Sequence, residues 1–251
     1  MEAKRELRRD QEKRRKRDNV IAAGAGTAAV VLAVVLQLTA FAGNPTEEEF
    51  AAAEAGLSSP SAAASPSLQA TNSPGVPAAD SAAGKTFTGD LVLNGSPLAV
   101  ELDGTKAPQA AAVFKSLSDE GYFNAKTCHR LTTGETFGVL QCGASGPDGQ
   151  GDPGYTWGPL ENTPADNTYP AGTIAVARTG NNAFGNGKQF FIVYKDTIIP
   201  ADSAGGYTVV GRVTSGLDVV SNIAAAGITP GSSDTDGTPA EPVTIDSFSL
   251  K

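Results

Sequence analysis

Cys128-His129-Arg130-Leu131 and Val139-Leu140-Gln141-Cys142-Gly143 bracket a Thr132-Thr133-Gly134-Glu135 connection. Two short apolar runs around a polar, glycine-bearing turn predict two antiparallel strands. On such a hairpin Arg130 and Gln141 come close together: a fixed cation beside an amide, with neither an acid nor a nucleophile obvious nearby. Farther on, Gly187-Lys188-Gln189-Phe190-Phe191-Ile192-Val193 predicts a strand carrying a second glutamine and two aromatics. Phe190 and Phe191 must face opposite ways, because successive strand residues alternate.

The segments around these strands extend the same pattern. Residues 87–93 and 98–102 alternate apolar and polar side chains around Asn94-Gly95, a strong hairpin signal. Residues 105–117 predict a helix, with Pro108 in the first turn and Ala111, Phe114 and Leu117 along one stripe. Residues 143–158 form a long glycine-rich loop ending near Tyr155 and Trp157, the only tryptophan. Strands are predicted over 172–178, 189–194, 207–213 and 243–250, and a second helix over 217–226. Two helices among about eight short strands predict a mainly β domain over residues 85–251. The expected architecture is a closed eight-stranded antiparallel barrel capped by two helices.

Upstream, residues 20–42 carry no charge. At about 1.5 Å per residue, some 20 helical residues cross the ~30 Å hydrocarbon core, so a transmembrane helix is predicted. Residues 1–18 hold nine Lys and Arg against five Asp and Glu, which places residues 1–19 in the cytoplasm and the domain outside. A signal peptide is the rival reading, because Ala40-Phe41-Ala42 has the small-x-small form of a cleavage site. The apolar run exceeds the usual h-region, which favours an uncleaved anchor; both readings export the domain. Residues 43–84 are dominated by Ala, Ser and Pro and predict a flexible tether, too poor in large apolar groups to fold.

Beyond residue 18, ten Lys and Arg face twenty-two Asp and Glu. An acidic domain argues against nucleic acid as partner, since phosphate binding needs clustered cations. One histidine and two cysteines fall short of the roughly four ligands of a structural zinc site. No metal and no cofactor are expected. Residues 180–188 do not make a phosphate loop, because Asn182 stands where glycine is required and Gln189 replaces Ser or Thr. His129 has no Ser or Asp placed to complete a triad, so it reads as a buried structural histidine.

The His129-Arg130 strand, the Gln141-Cys142-Gly143 strand and the Gly187-Lys188-Gln189-Phe190-Phe191 strand, in that order, resemble the cyclophilin family of peptidyl-prolyl isomerases. From residue 85 onward the chain is similar to that family, in a membrane-anchored bacterial form. The resemblance implies isomerisation of X-Pro bonds in exported proteins, with Arg130 catalytic. It implies substrate contacts from Gln141, Gln189 and Phe191, with Phe190 in the core. It places the family's groove Ala-Asn pair on Ala177-Arg178, its Trp-Leu pair on Ile198-Ile199 and its groove His on Tyr207. The family's groove aromatic falls on Gly138, so Phe137 or Val139 is expected to line the groove instead. Cyclosporin, which binds the groove of many cyclophilins, is expected to bind weakly where Ile198 replaces tryptophan. The expected partners are proline-containing segments and, through the anchor, the membrane; the chain is taken as a monomer. The altered groove positions leave open a tethered module that grips proline segments with little turnover.

Cys128 and Cys142 face an oxidising compartment once exported. The hairpin brings their backbones together, but strand parity sets Cys128 on the face of Arg130 while Cys142 lies on the face opposite to Gln141. A bulge would reconcile them; bonded and free thiols both stay open.

Overall fold

The computed structural model describes residues 71–144 and 149–251. The basic tail, the apolar run at 20–42 and the tether as far as residue 70 lie outside the described residues. Among the described residues no helix is long and apolar enough to cross a membrane.

The first hairpin pairs β1 (Thr86–Leu93) with β2 (Ser96–Asp103). Its turn residues Asn94 and Gly95 take φ of 45° and 76°, the left-handed pair whose twist matches the flanking strands. Helix α1 (Pro108–Asp119) opens on Pro108, which has no N–H to leave unpaired in the first turn. The Glu161 carboxylate accepts from the Gln109 and Ala110 backbone N–H groups at 3.0 and 2.9 Å, an anion set against the positive end of the helix.

There follow β3 (Cys128–Thr132), β4 (Val139–Cys142), β5 (Thr168–Tyr169), β6 (Thr173–Arg178), β7 (Asn186–Val193), β8 (Thr197–Ile198) and β9 (Val209–Ser215). Helix α2 (Leu217–Ala225) precedes β10 (Ile228–Ser233), β11 (Asp236–Pro239) and β12 (Ile245–Leu250). Ten strands make one antiparallel sheet in the order β10-β11-β3-β4-β7-β6-β9-β2-β1-β12, and β5 pairs with β8 apart from it.

This corrects the closed eight-stranded barrel. The β10–β11 hairpin adds to the free edge of β3, so the ladder has two ends, β10 and β12. Short of a ladder, the Thr127–Thr244 bridge and a few backbone bonds (Cys128 N–H to the Val243 carbonyl, Ala125 N–H to the Ile245 carbonyl, Ile245 N–H to the Lys126 carbonyl) bring the start of β3 back towards β12. The start of the domain is also corrected. Residues 71–84, expected as tether, are bonded onto it: Asn72 donates to the Gln109 side chain, Ser73 N–H to Thr156, and Ala82 is buried.

Alternation along the central strands sorts side chains onto two faces. On one face Leu131, Leu140, Cys142, Ile174, Val176, Phe190 and Ile192 join the main core beneath α1. Phe123 anchors it, with Phe114, Phe190 and Phe248 at ring-centroid distances of 5.6, 5.6 and 5.2 Å, spacings typical of favourable aromatic packing. On the other face Val139, Ala175, Phe191 and Val193 pack with Tyr169 into a smaller cluster. The opposed orientations expected for Phe190 and Phe191 are those observed.

The register of β3 against β4 settles the cysteines. Arg130 pairs with Gln141 and Leu131 with Leu140, but Cys128 pairs with Cys142, because the register slips between Cys128 and Arg130. The extra residue, His129, is a bulge that turns Cys128 onto the core face. Cys128 and Cys142 are joined in a disulfide.

Candidate active site

The smaller cluster floors an open cavity of about 180 Å³. Its apolar wall comes from Phe137, Val139, Phe191, Ile199 and Tyr207, and its polar wall from Arg130, Gln141 and the Ala177-Arg178 pair. Phe191 lies edge-on to Tyr207 at 5.4 Å between centroids. The sheet explains the convergence: Gln141 pairs with Phe191, and Phe191 with Ala175, across three adjacent strands. Residues two apart on a strand share a face, which brings Val139 and Ala177 to the same side.

Arg130 heads a polar chain along the rim. Its Nε and Nη2 donate to the two Asp236 carboxylate oxygens at 2.9 and 2.7 Å, and Nη1 donates to Gln141 Oε1 at 3.3 Å. Gln141 Nε2 donates to Gln189 Oε1 at 2.8 Å, and Gln189 Nε2 to the Gly149 carbonyl at 3.0 Å. The Asp236 hydrogen bond, ahead of the opposing cost of burial, raises the Arg130 pKa above its usual value; the same bond lowers that of Asp236. The pair is therefore ionised throughout the ordinary pH range. Arg130 also lies 5.8 Å from the Phe137 ring centroid.

A second guanidinium borders the cavity but is fully committed. The Arg178 side chain is only 1% exposed. Nε donates to Gly206, Nη1 to Thr179 and Asp202, and Nη2 to Asp202 and Gly205, one acceptor for each of its five N–H groups. It also stacks on Tyr207 at 4.9 Å. Asp202, held well below the usual carboxylate range chiefly by the Arg178 hydrogen bond, ties in the Asn181 and Ala204 N–H groups as well. Arg130 uses three of its five donors. It is therefore the guanidinium with N–H groups to spare.

Two other expected site residues, Gln189 and Ile198, stand apart from this cavity. Gln189 lines a neighbouring cavity of about 330 Å³ that shares Gln141, Ala177 and Arg178 with the first. Ile198 is 56% exposed and stands outside the cavity, leaving its neighbour Ile199 to line it. Tyr207, expected on a strand, precedes β9 and is held by its N–H donating to the Tyr169 hydroxyl at 2.7 Å. A Cβ on Gly138 would run into Lys195 and Tyr194, away from the groove, and Phe137 occupies the groove in its stead.

Three contributors were not singled out from the sequence: Asp236, Tyr169 and Asp202. Each is an ordinary loop or turn residue by its neighbours, and only the tertiary fold brings it to Arg130, Tyr207 or Arg178.

The family model described as "Cyclophilin type peptidyl-prolyl cis-trans isomerase/CLD" matches residues 89–250. The "Probable peptidyl-prolyl cis-trans isomerase B" of Mycobacterium leprae is 38% identical over 176 residues, covering 66% of this chain and 57% of that one. The chain thus spans little more than half the length of that relative. The peptidyl-prolyl cis-trans isomerase B of Bacillus subtilis is 35% identical over 134 residues, covering 53% of this chain and 87% of that one. A cyclophilin of Cryptosporidium parvum shares the fold, with a TM-score of 0.53 at 22% identity, over 66% of this chain and 97% of that one. The same protein has been solved in the presence of the dipeptide ala-pro, with a TM-score of 0.52. On the match over residues 89–250, the chain belongs to the cyclophilin-type peptidyl-prolyl cis–trans isomerase family.

Proposed function

We propose that the chain is a peptidyl-prolyl cis–trans isomerase in which Arg130 stabilises the twisted amide. An X-Pro bond rotates against a barrier of about 20 kcal/mol, because rotation breaks amide resonance. In the twisted state the proline nitrogen regains its lone pair and accepts a hydrogen bond. A donor placed beside it favours that state over either planar ground state, as catalysis requires. The observation that carries this reading is a guanidinium with two uncommitted N–H groups, among the described residues, at the rim of an apolar cavity. The proline ring sits on Phe191 between Val139, Ile199 and Tyr207. Gln141 and the backbone at Ala177-Arg178 hold the flanking peptide groups. No bond to the substrate forms or breaks, so neither nucleophile nor cofactor is called upon.

The substrates are proposed to be exported proteins, reached by a monomer tethered through residues 20–42 with its domain outside the cell. The uncharged run behind a basic tail supports that placement. The second reading, a tethered binder with little turnover, is favoured by Ile198, which is exposed and does not line the cavity. Exchange spectroscopy on an X-Pro peptide separates the two. An isomerase speeds cis–trans exchange at substoichiometric amounts of chain; a binder broadens or shifts the signals without speeding exchange.

A further inference from the structure

We propose that Asp236 is a positioning residue for the isomerase: it locks the Arg130 guanidinium in one plane so that its two remaining N–H groups face the groove. This rests on the reading of Arg130 given above and goes beyond it.

The side-on fork of an arginine comprises Nε and one Nη, and its end-on fork comprises the two Nη groups. Asp236 takes the side-on fork whole, through Nε and Nη2. Gln141 takes one Nη1 proton. What remains is one proton on Nη1 and one on Nη2. Two acceptors on different strands, β11 and β4, therefore fix the rotation of the guanidinium about its stem.

The backbone placement is equally specific. Asp236 lies opposite Thr132 in the β11–β3 ladder, and Thr132 shares a face with Arg130, so Asp236 is the diagonal neighbour of Arg130. The next residue must be glycine: a Cβ on Gly237 would lie 2.1 Å from the Thr229 carbonyl oxygen. The hairpin beyond α2 thus presents one carboxylate to one guanidinium at a fixed height. An arginine with only Gln141 to hold it has a long flexible stem, and its order must otherwise be bought from substrate binding. A locked fork concentrates its effect on the chemical step, since misplacement of about 1 Å is enough to cost about a hundredfold in rate.

The test is steady-state turnover of an X-Pro peptide by the full chain carrying Asp236→Asn, Asp236→Glu or Arg130→Ala. Asn keeps the shape of Asp but presents one acceptor where two are needed. Asp236→Asn should lower kcat about ten- to a hundredfold while KM stays within about twofold. Asp236→Glu, which restores both acceptors, should recover most of that loss. Combined with Arg130→Ala, Asp236→Asn should add no further loss, because it acts only through Arg130. In the unaltered chain the Arg130 Nε–H should give a resolved, slowly exchanging proton signal. A fork averaged by rotation in the unaltered chain would overturn the proposal whether or not any variant folds. Wild-type kcat in Asp236→Asn would also overturn it, with the isomerase reading still standing on the loss in Arg130→Ala. A further drop in the double variant would show a general structural role and count against it.

Discussion

Cys128 sits directly opposite Cys142 in the β3–β4 ladder, whereas Arg130, two residues on, sits opposite Gln141. His129 is the extra residue between them, and it lets one strand send a cysteine into the core and an arginine to the groove. The disulfide therefore clamps the core side of the same hairpin that carries the arginine. It closes a segment of 14 residues, for which the chain-entropy account gives about 3 kcal/mol. Replacing both cysteines by alanine should lower the unfolding free energy by about that amount. Denaturant unfolding with and without a reductant measures it; equal midpoints for the unaltered chain under both conditions would contradict the clamp.

Acid should act on the fold through its paired carboxylates. Asp152, Asp202 and Asp236 are all lowered, chiefly by hydrogen bonds from Lys188, Arg178 and Arg130 respectively. A depressed folded pKa adds stability that is complete above the unfolded value, about 3.9, and is lost as pH falls through the folded one. Glu161 runs the other way, because burial raises its pKa and protonation relieves that cost. Asp202→Asn should lower the melting temperature at neutral pH by leaving the buried Arg178 short of acceptors. The gap from wild type should stay constant above about pH 5 and narrow below about pH 4. Melts across that range check it; a gap that widened towards acid would be the wrong sign.

Ile198 is 56% exposed beside the cavity. It packs but cannot donate, so a ligand that uses an indole N–H at this position loses one hydrogen bond and some contact. That loss is about 1–3 kcal/mol, roughly ten- to a hundredfold in affinity. Ile198→Trp should therefore tighten cyclosporin binding by about that factor and leave kcat nearly unchanged. Calorimetric titration of both forms reads the difference. Tight binding by the unaltered chain would show that the groove wall is formed elsewhere.

What the sequence makes legible follows from where the physics is local. Asn94-Gly95 announces its hairpin because few residues accept two consecutive positive φ values. Phe190 and Phe191 declare two faces because a strand has period two. Cys128 and Cys142 announced a parity conflict that a bulge resolves. The β10–β11 hairpin had no such signal: Thr229-Pro230-Gly231-Ser232-Ser233-Asp234-Thr235-Asp236-Gly237 reads as a loop. Its strands are mostly exposed and lack an apolar alternation, and edge strands tolerate proline and glycine. With that hairpin unseen, both the open ladder and the Asp236 contact to Arg130 went with it. Residues 71–84 misled in the same way, since the composition of a tether hides the bonds that Asn72 and Ser73 make to distant partners.

The proposed topology is checked by protease added to intact cells. The account expects the chain to fractionate with membranes, with residues 85–251 removed and residues 1–19 spared. A soluble mature form beginning at Gly43 would favour the signal-peptide reading instead.

The most direct test of the central claim is the turnover of Arg130→Ala on an X-Pro peptide, followed by exchange spectroscopy beside the unaltered chain. Arg130 is half-exposed at the groove rim, so the variant should fold, leaving Asp236 exposed enough to be hydrated. Loss of one preorganised donor to the twisted amide should cut kcat by about two to three orders of magnitude. Arg130→Lys should rescue little, because a single ammonium cannot reproduce a fork held at both Asp236 and Gln141. Undiminished turnover in Arg130→Ala would contradict the account.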